Sequence, residues 1–148
     1  SDDAGGEPTA AISATGTGVL YGVTVGADEI PSMIDEVPML ACLGARAQGE
    51  TVISGAGELR VKESDRISAV VRNLRAIGVE AEERPDGMIV RGTSAPLVGH
   101  VETHGDHRLA MAFGVLGALP GNSIDVDLPD CVAVSYPSFW SDLRRVSR

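Results

Sequence analysis

Glu58-Leu-Arg-Val-Lys-Glu-Ser-Asp-Arg66 sets three cations (Arg60, Lys62, Arg66) among three acids (Glu58, Glu63, Asp65). The chain then turns amphipathic. Ile67, Val70, Val71, Leu74 and Ile77 recur at the i, i+3, i+4, i+7 spacing of one buried helical face. Gly78 stands where a left-handed helix stop belongs. The spacing predicts a helix over 62–77, with the charged cluster as its first turn and the remainder anchored in a core. At such a start the free N–H groups and the helix dipole favour an anion. Lys62 and Arg66 stand four apart and share one face. Glu63 lies about 40° from Ile67 around the helix axis, toward the packed side. An acid turned inward between cations describes a lined cleft; a solvated helix cap is the plainer alternative.

Outward from this helix the elements alternate. Residues 1–8 read as a mobile lead-in. Ala10–Ala14 and Val19–Val25 read as strands. A helix follows from Pro31-Ser32 to about Gln48, with a bend expected at Pro38 and Gly49 as its stop. Thr51–Ser54 is a short strand. After the 62–77 helix, Val79–Arg84 and Met88–Arg91 form a hairpin about Pro85-Asp-Gly87. Strand Val101–Thr103, helix 106–118, strand Ser123–Val126 and a last helix from Pro137 to about Val146 complete the chain. At an offset of 71, Asp35 falls on Asp106, Ala41 on Ala112, Ala47 on Ala118 and Ile53 on Ile124. The reading is an α/β fold of repeated βαβα units, about 9–91 and 100–148, with extra hairpin strands. It is not a dinucleotide-binding fold, because no G-x-G-x-x-G follows a strand.

At 148 residues the chain is the size of one domain. Hydrophobic content of 43% suffices for a core, and aromatic content of 3% makes that core aliphatic. Twelve basic against twenty-one acidic residues leave a net charge of -9. That excludes broad electrostatic binding to nucleic acid or an anionic membrane, while a local positive cluster can still hold a small anion. Cys42 and Cys131 lie among apolar neighbours and read as buried thiols of a reducing compartment. No apolar run reaches the ~18 residues of a membrane span, and no signal peptide is legible. The first residues are Ser1-Asp2-Asp3, as expected of a fragment or a processed product.

Three further stretches bear on chemistry. In Gly105-Asp-His-Arg-Leu-Ala-Met111, His107 and Arg108 open a helix as Lys62 and Arg66 do. Two helix starts, each with a guanidinium, can clamp one anion from two sides. In Pro31-Ser-Met-Ile-Asp-Glu36, Asp35 is either a capping-box acid three residues after Ser32 or a general base near a substrate hydroxyl. His100, Glu102, His104 and Asp106 alternate, with His107 adjacent, as a divalent-metal site on a strand would.

Taken together, Glu58–Arg66, Gly105–Met111, Ile30-Pro-Ser-Met-Ile-Asp-Glu-Val-Pro38 and Ser135-Tyr-Pro-Ser-Phe139 resemble the C-terminal part of the EPSP synthase (3-phosphoshikimate 1-carboxyvinyltransferase) family. The four motifs stand in the family order, and the resemblance runs from about residue 10 to the end. It implies an inside-out α/β assembly of βαβαββ repeats, with about two of the three repeats of one domain present. It implies enolpyruvyl transfer from phosphoenolpyruvate to shikimate 3-phosphate in aromatic amino-acid biosynthesis, the step that glyphosate targets. No metal or organic cofactor is implied, and the compartment is cytoplasmic.

By the same resemblance Asp35 takes the shikimate hydroxyl proton, with Lys62 between the substrates. Glu63 protonates the methylene carbon of phosphoenolpyruvate. Arg66 and Arg108 hold its carboxylate and phosphate, with His107 beside them. Flanked by Lys62 and Arg66, Glu63 needs a closed, dry site to carry a proton. Many members place a lysine where Val134 stands. The expected partner is the N-terminal domain of the same enzyme, which supplies most of the shikimate 3-phosphate site. The closing strand pair of the last repeat lies beyond Arg148 in this reading, and the surface so uncovered invites a fragment homodimer. Two alternatives remain: a UDP-N-acetylglucosamine enolpyruvyl transferase, and a metal-binding module built on His100–His107.

Overall fold

Strand, helix, strand, helix, strand, strand is the order in which the first unit is laid down. The computed structural model describes residues 2–4 and 7–147. Asp2–Ala4 (β1) and Glu7–Thr9 (β2) pair as a small antiparallel ladder. Residues 1, 5 and 6 of the expected lead-in lie outside the described residues. The first unit contains β3 (Thr24–Val25), two 3-10 turns at Ile30–Ser32 and Ile34–Glu36, and α1 (Val37–Gly44). It continues through β4 (Glu50–Ile53), a 3-10 turn at Gly57–Val61, α2 (Arg66–Ala76), β5 (Glu80–Arg84) and β6 (Gly87–Arg91). Its sheet has the order β3-β4-β6-β5, with β3 parallel to β4 and the other pairings antiparallel. The second unit contains β7 (Val98–Val101), α3 (His107–Gly117), β8 (Ser123–Val126), a 3-10 turn at Pro129–Val134 and α4 (Phe139–Val146). β7 and β8 pair in parallel, repeating β3 and β4.

The sheets lie outside and the helices inside. Alternation along β4 and β6 buries Thr51, Ile53, Met88 and Val90. The opposite face carries Glu50, Glu80 and Arg91, and Arg91 bridges both acids at 3.4 and 3.1 Å. Val37, Ala41 and Cys42 of α1, Ile67, Val70 and Leu74 of α2, and Leu109, Phe113 and Leu116 of α3 share one core. Each fully buried aliphatic side chain contributes about 1.5–3 kcal/mol. The apolar face of α2 is therefore a firm anchor for whatever its first turn carries.

Several boundaries differ from the sequence expectation, each for a physical reason. Residues 10–14 form no strand; they are exposed, and extended chain needs a pairing neighbour. Of 19–25 only Thr24–Val25 pairs, with one further parallel bridge from Tyr21 to Gln48. Pro38 does not bend a long helix. It lies in the first turn of α1, where its missing N–H costs nothing, and the residues before it take 3-10 turns. Ser32 is no N-cap: its hydroxyl donates to the Glu29 carbonyl at 2.8 Å, and Asp35 makes no capping bond. α2 starts at Arg66, not Lys62, because Asp65 caps it by accepting from the Ser68 N–H at 3.1 Å. Lys62 is extended (φ -81°, ψ -155°), so it shares no helical face with Arg66. Gly78 takes the expected left-handed stop at φ +97°. β7 ends at Val101, earlier than expected, and α4 begins at Phe139. Cys42 is buried, and burial pushes its thiol up; Cys131 is only half-buried.

Gly87, at the start of β6, has no room for a side chain. A Cβ there would stand 1.8 Å from the Ile53 carbonyl oxygen, which is backbone and cannot turn aside. Gly87→Ala is expected to cost on the order of 2–4 kcal/mol. Gly57→Ala, whose Cβ meets nothing within 4 Å, is expected to stay within about 1 kcal/mol of the parent. Urea midpoints compared across the three proteins check both.

Candidate active site

The site is assembled at the entrances to α2 and α3. β7 is turned into α3 by Thr103-His-Gly-Asp106, in which His104 (φ 55°) and Gly105 (φ 74°) both take left-handed backbone. The Asp106 N–H donates to the Thr103 carbonyl at 2.9 Å and closes the turn. Thr103 is itself held by its N–H donating to Asp127 Oδ1 at 2.6 Å. Asp106 thereby becomes the N-cap of α3, accepting from the Arg108 N–H at 3.0 Å.

The same carboxylate is the main partner of Arg66. Arg66 Nε donates to Asp106 Oδ2 at 2.8 Å, and Nη2 donates to Oδ1 at 3.2 Å. Ser64 Oγ adds a bond to Oδ2 at 2.8 Å. Arg66 is 1% exposed and Asp106 0%. Two further carboxylates complete the guanidinium: Glu63 Oε2 accepts from Nη2 at 2.6 Å and Asp35 Oδ1 from Nη1 at 3.2 Å. Burial alone would push the Asp106 carboxyl up. The bonds from Arg66 and Ser64, the Arg66 charge and the Arg108 N–H outweigh it and hold the carboxyl below the usual carboxylate range. Burial likewise lowers Arg66, but its bonds to Asp106 and the charges of Asp106, Glu63 and Asp35 leave it firmly protonated.

Lys62 Nζ lies 3.9 Å from Asp35 Oδ1 and 3.3 Å from Glu58 Oε1. Asp35 thus stands between two cations, Arg66 and Lys62. On its other side a cleft of about 310 Å³ opens, lined by Asp35, Glu36, Met39, Arg108, Met111 and Tyr136 among others. Arg108 Nη1 is bonded to Glu36 Oε1 at 2.9 Å. His107 opens α3 half-buried, and no hydrogen bond engages its ring among the described residues.

The expected site residues Asp35, Lys62, Glu63 and Arg66 are therefore brought into one network, with Arg108 across the cleft edge from Asp35. The expected clamp of two free helix starts is not what the chain builds. Asp65 and Asp106 already cap those starts, and Arg66 is filled by carboxylates. Arg60 lies to one side, where it ties Asp65, the cap of α2, to Glu83 and to the Arg84 and Pro85 carbonyls at the end of β5. The metal reading fails on geometry. β7 stops at Val101, Asp106 is taken by Arg66, and His100 pairs with Asp125 at 2.7 Å on the exposed face. Among the described residues no group of three histidine, cysteine or acidic side chains is placed to hold a metal ion. Val134, at the place of the family lysine, ends a 3-10 turn and is 84% exposed.

The family model for EPSP synthase (3-phosphoshikimate 1-carboxyvinyltransferase) matches residues 3–143. This chain belongs to the EPSP synthase family. The 3-phosphoshikimate 1-carboxyvinyltransferase of Sulfurihydrogenibium sp. (strain YO3AOP1) is 52% identical over 129 residues, covering 87% of this chain and 30% of the relative. That of Aquifex aeolicus (strain VF5) is 48% identical over 140 residues, or 95% and 32%. A solved EPSP synthase from Acinetobacter baumannii superposes with a TM-score of 0.80 at 37% identity, covering 87% of this chain and 31% of the other. The fold is accordingly the EPSP synthase-like α/β assembly. The chain spans about a third of the length of the curated relatives it matches.

Glu36, Glu58, Ser64 and Tyr136 carry no mark of a site residue in the sequence, and Asp106 reads there only as a metal ligand. The one signal for Asp106 was its equivalence to Asp35 at the 71-residue offset. Both aspartates precede the first helix of their unit, and both bind Arg66.

Asp106→Asn removes the fully buried counter-charge of Arg66, leaving it the half-exposed Glu63 and Asp35, and is expected to destabilise by about 3 kcal/mol. Because the folded carboxyl lies below its unfolded value of about 3.9, its stabilising contribution is present above that value and lost as pH falls through the folded one. Denaturation midpoints measured downward from pH 7 should therefore fall less steeply below about pH 4 in the variant than in the parent. Equal slopes would contradict the assignment.

Proposed function

We propose that this chain is the C-terminal part of a 3-phosphoshikimate 1-carboxyvinyltransferase. It carries one wall of a cleft in which the enolpyruvyl group of phosphoenolpyruvate passes to a hydroxyl of shikimate 3-phosphate. The supporting observation is the gathering of Asp35, Lys62, Glu63 and Arg66 into one charge network beside Arg108. In this reading residues 9–148 are a partial C-terminal domain. The N-terminal domain of the same enzyme faces the cleft, and the compartment is the cytoplasm. An apolar face at Leu20, Tyr21, Val23 and Leu43 is exposed, which would favour pairing of two copies.

The chemistry follows from the side chains. Asp35 accepts the substrate hydroxyl proton, with Lys62 placed to steady the developing charge. Glu63 gives a proton to the methylene carbon of phosphoenolpyruvate, making the adjacent carbon electrophilic. The hydroxyl oxygen attacks that carbon, forming the new C–O bond of a tetrahedral intermediate. Phosphate departs with the C–O bond electrons, and a methyl proton returns to a carboxylate to restore the double bond. Arg108 faces the carboxylate and phosphate charge at the cleft wall, and Arg66 can do so only when the exposed carboxylates Glu63 and Asp35 part from its guanidinium. Glu63 is ion-paired with Arg66 in this structure, so proton donation requires a closure that parts the two.

Phosphate release from phosphoenolpyruvate plus shikimate 3-phosphate tests the proposal. The chain alone should turn nothing over; co-expressed with a polypeptide supplying the N-terminal part, it should be active. In that mixture Glu63→Gln should lower kcat on the order of 10²–10⁴-fold. Arg108→Ala should lower kcat/KM. A formed complex without phosphate release would overturn the reading.

A further inference from the structure

Asp35 and Glu36 are neighbours on one 3-10 turn, yet they reach arginines on two different helices. Asp35 bonds Arg66 of α2, and Glu36 bonds Arg108 of α3. Arg66 is buried and has Asp106 as a permanent counter-ion. Arg108 has no such partner. Its side chain is one-third exposed at the cleft wall, and Glu36, 63% exposed, is the one carboxylate in its ion pair among the described residues. The Glu36 carboxylate therefore occupies the bonding direction that an anionic ligand in the cleft would use. The contact is a single bond, Nη1 to Oε1 at 2.9 Å, and not a two-bond fork. An exposed pair of this kind is readily exchanged.

We propose that Glu36 is an internal competitor for the anion on Arg108: a carboxylate latch that must swing off the guanidinium before a carboxylate or phosphate group is bound there. The inference rests on the proposed function only in taking Arg108 as an anion contact. The latch lowers affinity for every anion that uses Arg108, by the same factor for each. It also keeps the guanidinium oriented toward the cleft while no ligand is present. Glu36 is thus a positioning residue and takes no part in proton transfer.

The test is binding of inorganic phosphate and of phosphoenolpyruvate to the full 148-residue chain, followed by amide and guanidinium NMR shifts. Four proteins are compared: the parent, Glu36→Gln, Arg108→Gln and the double variant. Glu36→Gln should bind both anions about two- to fivefold more tightly, the range an exposed ion pair supports. In the Arg108→Gln background the same change should do nothing. A gain that persists without Arg108 would reflect only the removal of a negative charge and would overturn the latch. So would equal affinities of parent and Glu36→Gln. Absence of binding in every protein, with the Arg108 guanidinium signals unmoved by Glu36→Gln, would overturn it as well. The proposed reaction is judged separately, by turnover in the reconstituted mixture, and survives any of these three results if that turnover is seen.

Discussion

A buried ion pair ties the two units to each other within their shared core. Arg66 belongs to the first unit and Asp106 to the second, and both are sealed from solvent. Removing such ions from water costs several kcal/mol each, a cost that only close, complete bonding offsets. The pair meets that condition. Asp106 accepts four bonds, from Arg66 twice, from Ser64 and from the Arg108 N–H. A hydrophobic pair of the same volume would hold the units together as well. It would not fix the relative positions of Glu63, Asp35 and Arg108, each of which is one bond away from this pair. The interaction thus contributes more to geometry than to stability.

What could be read in the sequence follows from how local each cause is. The apolar face of α2 and its stop at Gly78 depend on spacing within one element, and both stand as expected. The α3 span and the β5–β6 hairpin are local in the same sense. The start of α2 is decided by one competition: Asp65 reaches the Ser68 N–H, which ends the helix before Lys62 can join it. A four-residue charge pattern carries no sign of which acid wins. The strand expected at 10–14 needed a neighbour that periodicity cannot supply. Residue identities in the site were legible through motifs. Their pairing was not, because Arg66 joins residues 31 and 40 positions away in opposite directions.

Two aspartates at similar places ahead of a helix differ in how committed they are. Asp35 and Asp106 hold corresponding places ahead of α1 and α3. Asp106 is a true N-cap in a closed turn and is fully buried, so its oxygens are committed. Asp35 sits on a 3-10 turn with no capping bond and stays 46% exposed at its side chain. One is committed as scaffold and the other stays within reach of the cleft.

The charge balance of the cluster bears on what must lie opposite. Asp35, Glu36, Glu58, Glu63 and Asp106 surround Lys62, Arg66 and Arg108, so five carboxylates face three cations. Each cation is already matched within the chain. An anion carrying both a carboxylate and a phosphate would meet a surface of net negative charge, on a chain whose overall charge is -9. Favourable binding then requires cations from outside these residues, or displacement of the exposed carboxylates Glu36, Glu58 and Glu63. Asp106 is not among them, because it is fully buried and accepts two bonds from Arg66. The wall described here is therefore net negative, and cations from outside these residues would strengthen anion binding at it.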